Sequence, residues 1–404
     1  MLVPEVLELM AKAAPIEGQG RGASSIYTEV IDALQNRGPL LEGDDDTARL
    51  LLARAYLGRV RDRDTGAARD PSSERDCTAA IEWIEKTTQS SESNAHLAEA
   101  YGRRGMLRGE LDRYVEAISD CDHAIAWWMA DESRPFELAS AHIDRGYLKT
   151  ELDDAAAHAD AMAAFALLGK QHATDRATAL ARSRAHLVRA NAGRVVTSAE
   201  EVRADYASAL AAFAACDPST TLPRERALWV EALTVRAMWQ VQTAPKAAVV
   251  DATEAVRISS ARRPMEPTMS DEEVIQLRAR IILAHTLAAA RDAGAGSSFA
   301  AARDALVAAM PPKDKRLELT ALLARLALVS ALRYTSDEIY KLGMHTFETV
   351  MRSVAKLTPA ERAAIGPTLR NSIAWICDLL LALQLPDADK VLVRNLRDSL
   401  ALPS

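Results

Sequence analysis

Apolar residues recur at helical spacing along almost the whole chain. Tyr27, Val30, Ile31 and Leu34 follow i, i+3, i+4, i+7, and so do Cys77, Ala80, Ile81 and Ile84. Ala117, Cys121, Ala124 and Trp128 follow the variant i, i+4, i+7, i+11. Polar or turn-forming breaks interrupt the pattern at intervals that suit helical hairpins: Gly38-Pro39, Arg61 to Ser73, Ser90-Ser91, Ser133 to Pro135, Asp217 to Pro223, Arg263 to Pro267, Gly294 to Ser298, Pro311-Pro312 and Gly366-Pro367. The pattern predicts roughly eighteen helices. No segment alternates with period two between Asn-Gly or Asp-Gly turns, so no strand is predicted.

A self-comparison shows that the hairpins repeat. Sliding forward 41 residues, from Gly105 to Gly146, lays Arg104-Gly105 on Arg145-Gly146 and Glu110-Leu111-Asp112 on Glu151-Leu152-Asp153. The same offset puts Cys121 on Met162, Ala124 on Phe165 and His158 in place of Ala117. A fainter copy, Ala248 to Val256, falls under Ala117 to Ile125. A glycine mid-way along a first helix lets a second helix cross closely, and Ala117 and Ala124 supply the flat stripe that meets it. Leu111 and Tyr114 are expected to cover the turn, and Asp112 to cap the second helix.

On these residues Tyr101 to Ala124 resembles a tetratricopeptide repeat. It carries the family's large aromatic (Tyr101), its glycine (Gly105), the turn aromatic (Tyr114), both alanines and the commonly acidic position (Asp120). The spacing is about 41 against the family's 34, so the repeats are lengthened. The resemblance implies an all-α, right-handed solenoid of stacked antiparallel hairpins. Residues 1–23 read as an N-terminal helix and flexible linker, 24–310 as the repeat array, and 311–404 as further repeats or a capping bundle. In this family the concave face, lined by first helices, holds an extended peptide or a partner's helix. Arg103, Met106, Asp144 and Tyr147 are the residues the resemblance directs there. The carboxylate-clamp version of the groove needs Lys and Asn where this chain has Glu99 and Arg103, so that clamp is not expected.

Composition narrows the function. The chain has 404 residues, 49% of them hydrophobic but only 5% aromatic, so its apolar content is mostly alanine and aliphatic. Lys and Arg number 49 against 56 Asp and Glu, giving a net charge of −7. That lacks the basic excess of a sequence-independent nucleic-acid binder. Residues 1–40 are too short and glycine-interrupted for a DNA-binding helix-turn-helix, and the faint resemblance to one over 357–376 reads better as core. No secretory signal and no membrane span is visible. Cys77, Cys121, Cys216 and Cys377 form no CxxC pair, which fits a reduced, cytoplasmic protein. The alanine-rich composition suggests a bacterial source.

Candidate chemistry is sparse. Gly18 to Ala23 fits G-x-G-x-x-A, with Glu42 about twenty residues on, but no strand precedes it and it reads as a linker. Asp44-Asp45-Asp46 suits a helix start, and Asp62 to Gly66 begins like a calcium loop whose twelfth position is Ser73, so both read as solvated segments. The eight histidines form no HExxH pattern. Arg103, Arg104 and Arg108 form the tightest basic cluster and are expected to pair with Glu99, Glu110 and Asp112. No cofactor or metal site is expected. The reading is a non-enzymatic scaffold for a protein or peptide partner, with a regulatory sensor as the alternative and a groove enzyme third. Self-association, where it occurs, is expected through the apolar C-terminal helices.

Overall fold

The computed structural model describes residues 3–16, 22–36, 46–63, 71–131, 133–169, 175–261, 270–309, 313–334, 336–358 and 367–382, with isolated positions beyond. Gly18 to Gly20, Gly38-Pro39, Glu42, Asp44-Asp45, Thr65-Gly66, Arg263 to Pro267 and Pro311-Pro312 lie outside the described residues. Seventeen α-helices and no strand occur among the described residues. The chain divides into two compact units, Met1–Ala215 and Cys216–Ser404.

The first unit runs α1 (Val3–Ala13), α2 (Ala23–Gln35), α3 (Asp46–Arg63), α4 (Pro71–Ile84), α5 (Ser91–Glu110), α6 (Tyr114–Met129), α7 (Pro135–Lys149), α8 (Asp154–Leu168), α9 (Arg176–Val196) and α10 (Ala199–Ala211). From α3 onward the helices pair as hairpins, α3 with α4 and so on to α9 with α10, and each hairpin packs on the next. The second unit repeats the plan with α11 (Pro223–Gln240), α12 (Pro245–Ser260), α13 (Ser270–Ala289), α14 (Ala295–Ala309), α15 (Lys313–Tyr334), α16 (Asp337–Ala355) and α17 (Pro367–Ala382). This is an all-α solenoid of stacked hairpins.

Alanine and aliphatic stripes build the cores. In the first unit Tyr27, Val30, Ile31 and Leu34 of α2 are buried with Val6 and Ala13 of α1 and with Leu52, Ile81 and Leu97 of the following helices. A second cluster joins Ile143, Ala157, Ala161, Ala164 and Val188 across α7, α8 and α9. In the second unit, Ile373, Ile376, Cys377 and Leu380 of α17 are buried against Phe347 and Val350, with Trp375 and Leu379 packed at the edge. The apolar C-terminal helix is therefore core. Three of the four cysteines are buried, and all four are free thiols. Burial pushes the Cys377 thiol up to about 12, so it stays protonated and unreactive.

The second copy needs a correction of register. The glycines of the first helices correspond as expected: a Cβ on Gly105 would meet the Ala117 carbonyl and Asp120 Cβ, and one on Gly146 would meet Asp160 Cβ and the Ala157 carbonyl. The residues buried on α8 are Ala157, Asp160, Ala161, Ala164 and Leu168, against Ala117, Asp120, Cys121, Ala124 and Trp128 on α6. The turn before α8 is one residue shorter, so Ala157, not His158, replaces Ala117, and Met162 is 46% exposed. On α12 the buried set Ala248, Asp251, Ala252 and Ala255 keeps the register read from the sequence.

The shorter turn also changes the capping. Asp153 caps α8, accepting from the Ala156 N–H at 3.1 Å. Asp112 does not cap α6. It sits at φ 58°, Arg113 holds the cap position without a side-chain bond, and the Asp112 carboxylate instead accepts from the Tyr114 hydroxyl at 2.9 Å. Leu111 leaves the turn 41% exposed. Asp153→Ala is expected to lower stability by about 1 kcal/mol in urea unfolding through loss of the cap. At Asp112 the backbone decides, so glycine is expected to be tolerated better than alanine there.

Two acidic segments also differ from their solvated reading. Asp62 and Arg63 belong to α3. Asp62 is buried and accepts from the Ser24 N–H at the start of α2, 2.8 Å away. Asp46 accepts from the Thr88 N–H at 2.9 Å.

Candidate functional site

In five of the hairpins the first helix is tied to the second by an arginine and a buried aspartate. Arg59 meets Asp76 at 2.6 Å, Arg104 meets Asp120 at 2.8 Å, Arg145 meets Asp160 through Nε at 3.0 Å, and Arg189 meets Asp205 at 2.6 Å. In the second unit Arg236 meets Asp251 at 2.6 Å. Each pair is two-pronged, with Nε and a terminal nitrogen donating to the carboxylate. The planar guanidinium fork fits a carboxylate in only one plane, so the pair fixes helix rotation as well as spacing. Sequence reasoning missed this ladder. Its signal is an arginine followed 15 to 17 residues later by an aspartate.

Arg108 joins Arg104 at Asp120 and also reaches Glu74 on α4 at 2.9 Å. Arg104 and Arg108 of the α5 basic cluster therefore pair across helices, and Arg103 takes its expected partner, Glu99. Asp160 accepts from three cationic or ring donors, His142, Arg145 and Lys149. Burial pushes its pKa up, but those donors outweigh burial and hold it well below the carboxylate range.

Ion pairs also join the first helices of adjacent hairpins. Arg61 on α3 donates twice to Glu99 on α5, at 2.7 and 2.6 Å, and Arg103 donates to the same carboxylate at 2.9 Å. Burial pushes Glu99 up, yet the Arg61 hydrogen bonds and the two guanidinium charges hold it at about 2. On the next two hairpins Asp144 of α7 accepts from Arg184 of α9. Met106 packs at the edge of the Ala117, Cys121 and Leu148 cluster. Tyr147 is 43% exposed. The structure thus places Arg103 and Asp144 in two separate ion-pair sets, each reaching the first helix of an adjacent hairpin. The positions of a carboxylate clamp hold Glu99 and Arg103, bonded to each other. Among the described residues no group of three or more histidine, cysteine or acidic side chains is placed to hold a metal.

No known family model matches this chain, and no curated protein matches it. Solved structures do. A Rap protein in complex with Competence and Sporulation Factor superposes over 98% of this chain and 99% of its own, with TM-score 0.55 and 13% identity. The apo form of RapI covers 99% of this chain and 96% of its own, with TM-score 0.52 and 14% identity. The fold is a helical repeat of stacked hairpins, similar to that of these Rap proteins. At this identity the likeness speaks for the fold, and it extends along both units rather than over the best-matching repeat alone.

Proposed function

We propose that the chain is a non-enzymatic scaffold that binds a protein or peptide on the face lined by its first helices. The observation that carries this is the fold shared over nearly its full length with a Rap protein solved with Competence and Sporulation Factor. The charge pattern supports it. The perturbed carboxylates Glu99, Asp160 and Asp205 are engaged by cationic side chains, as in a structural network. The proposal places the protein in a reducing cytoplasm without nucleic-acid or membrane partners. Among the described residues no helix is long and apolar enough to cross a membrane.

The test is capture by the full chain from its native lysate, compared with the Arg103→Glu/Tyr147→Ala variant. A partner retained in stoichiometric amounts by the wild type should fall about tenfold or more in the variant, with its helicity unchanged by circular dichroism. Equal capture by both proteins would place the binding surface elsewhere.

A second reading, a regulatory sensor, draws on two of the ion pairs that join first helices of adjacent hairpins, Arg61–Glu99 and Asp144–Arg184. A ligand that competes for either pair would respace two first helices, and so bias the array between two states. Slowed or speeded amide exchange in α3 and α5, on adding the captured partner, would distinguish this from passive binding.

A further inference from the structure

Arg325 breaks the arginine–aspartate pattern. It lies on α15, half-buried, with its guanidinium carbon 5.1 Å from the centre of the Trp375 ring on α17. Among the described residues it makes no ion pair or hydrogen bond, and burial alone pushes its pKa down. Two carboxylates on these helices face other arginines. Glu318 of α15 faces Arg278 of α13, and Asp378 of α17 faces Arg397 at 3.0 Å.

The α13 side of α15 shows the same excess of positive charge. Ser330 is buried, 2.8 Å from Nδ1 of buried His285 on α13. Arg333, one turn beyond, is exposed and has no ion pair among the described residues. Burial first, then the charges of Arg333 and Arg325, push His285 down to about 4, so its ring is neutral at pH 7. Both guanidiniums therefore act on His285, and neither is paired with a carboxylate among the described residues.

A half-buried guanidinium that meets no carboxylate among the described residues loses hydration that no described side chain restores by a hydrogen bond. The indole covers one face of its plane. The N–H edges remain, and they match an oxyanion through two parallel hydrogen bonds. We propose that Arg325, backed by Trp375 and helped by the positive potential of Arg333, binds a ligand oxyanion, either a carboxylate or a phosphate. The site lies in the second unit and does not depend on the peptide-binding reading of the first.

The test uses the full chain with inorganic phosphate and acetate as separate probes at constant ionic strength. The wild type should gain about 3 °C in thermal midpoint at tenfold excess over the dissociation constant of the anion that fits. Phosphate alone stabilising would assign a phosphate site, and acetate alone a carboxylate site. Arg325→Met keeps the stem against Trp375 and should abolish the gain. Without added anion this variant should melt no lower than wild type, because an unpaired buried charge has been removed. A second readout needs no variant: the bound anion should shift the His285 ring pKa upward from about 4, followed by its side-chain nitrogen resonances. No stabilisation by either probe, an equal gain in Arg325→Met, or an unmoved His285 would overturn the proposal.

Discussion

Replacing Asp160 by asparagine is expected to destabilise the first unit by about 3–5 kcal/mol, the range for breaking a buried ion pair from one side. Asp160 is 2% exposed and gathers His142, Arg145 and Lys149 from α7. Asparagine keeps the volume but takes the buried carboxylate from Lys149 and leaves Arg145 only the exposed carboxylate of Asp122. The matched control is Asp122→Asn. Asp122 also meets Arg145, at 2.6 Å, but is 55% exposed, so its loss should cost less than about 1 kcal/mol. Urea unfolding, followed through the transition that includes the first unit, measures both.

The same carboxylate predicts a pH dependence with a definite sign. A native pKa held below the unfolded value stabilises the fold above that unfolded value, near 3.9 for Asp, and the stability is lost as pH falls below it. Wild type and Asp160→Asn should therefore differ fully at neutral pH and converge in acid. Glu99 adds a second loss between its ordinary 4.5 and about 2. Equal gaps between wild type and variant at pH 7 and in strong acid would refute the ion-pair account.

The second large effect is expected at Gly105. A Cβ there would lie 2.9 Å from the Ala117 carbonyl oxygen and 3.1 Å from Cys121 Sγ. The carbonyl belongs to the α6 backbone and cannot turn aside, so Gly105→Ala must push α5 and α6 apart and stretch the neighbouring Arg104–Asp120 pair. A cost of about 1–3 kcal/mol is expected, even though alanine is the better helix former by about 1 kcal/mol. Gly102→Ala, one turn earlier on the same helix, would meet only Ala124 Cβ at 3.8 Å and should be neutral or stabilising by up to about 1 kcal/mol. Chemical denaturation of the two variants separates crossing distance from helix propensity. Adding Cys121→Ala should not rescue Gly105→Ala, because the carbonyl contact remains.

The candidate face was legible only as positions. The repeat pattern placed Arg103, Met106, Asp144 and Tyr147 on first helices. It could not show that Glu99 would be shared by Arg61, 38 residues away, or that Asp144 would meet Arg184, 40 residues away. Those pairs depend on how hairpins stack. The Arg–Asp ladder was written in the chain at a nearly constant spacing. It escaped notice because surface and buried charges look alike in one dimension, and burial is what makes a pair matter.

What the sequence determined by itself was the helical class, the hairpin order and the close crossing at Gly105 and Gly146. These follow from local rules, namely 3.6-residue periodicity, turn composition and the need for a small residue where two backbones approach. Tertiary structure alone decided the register of α8, the cap of α6 and the partners of the arginines. α8 carries apolar residues on every side, so its own pattern does not choose a buried face. The 41-residue offset lays Met162 and Phe165 on Cys121 and Ala124, but the stripe buried against α7 is Ala157, Ala161 and Ala164, and the larger pair turns toward α9, where Arg189 lies 4.7 Å over the Phe165 ring. Periodicity places residues on a helix, and the shape of the neighbouring helix selects which of them it will bury.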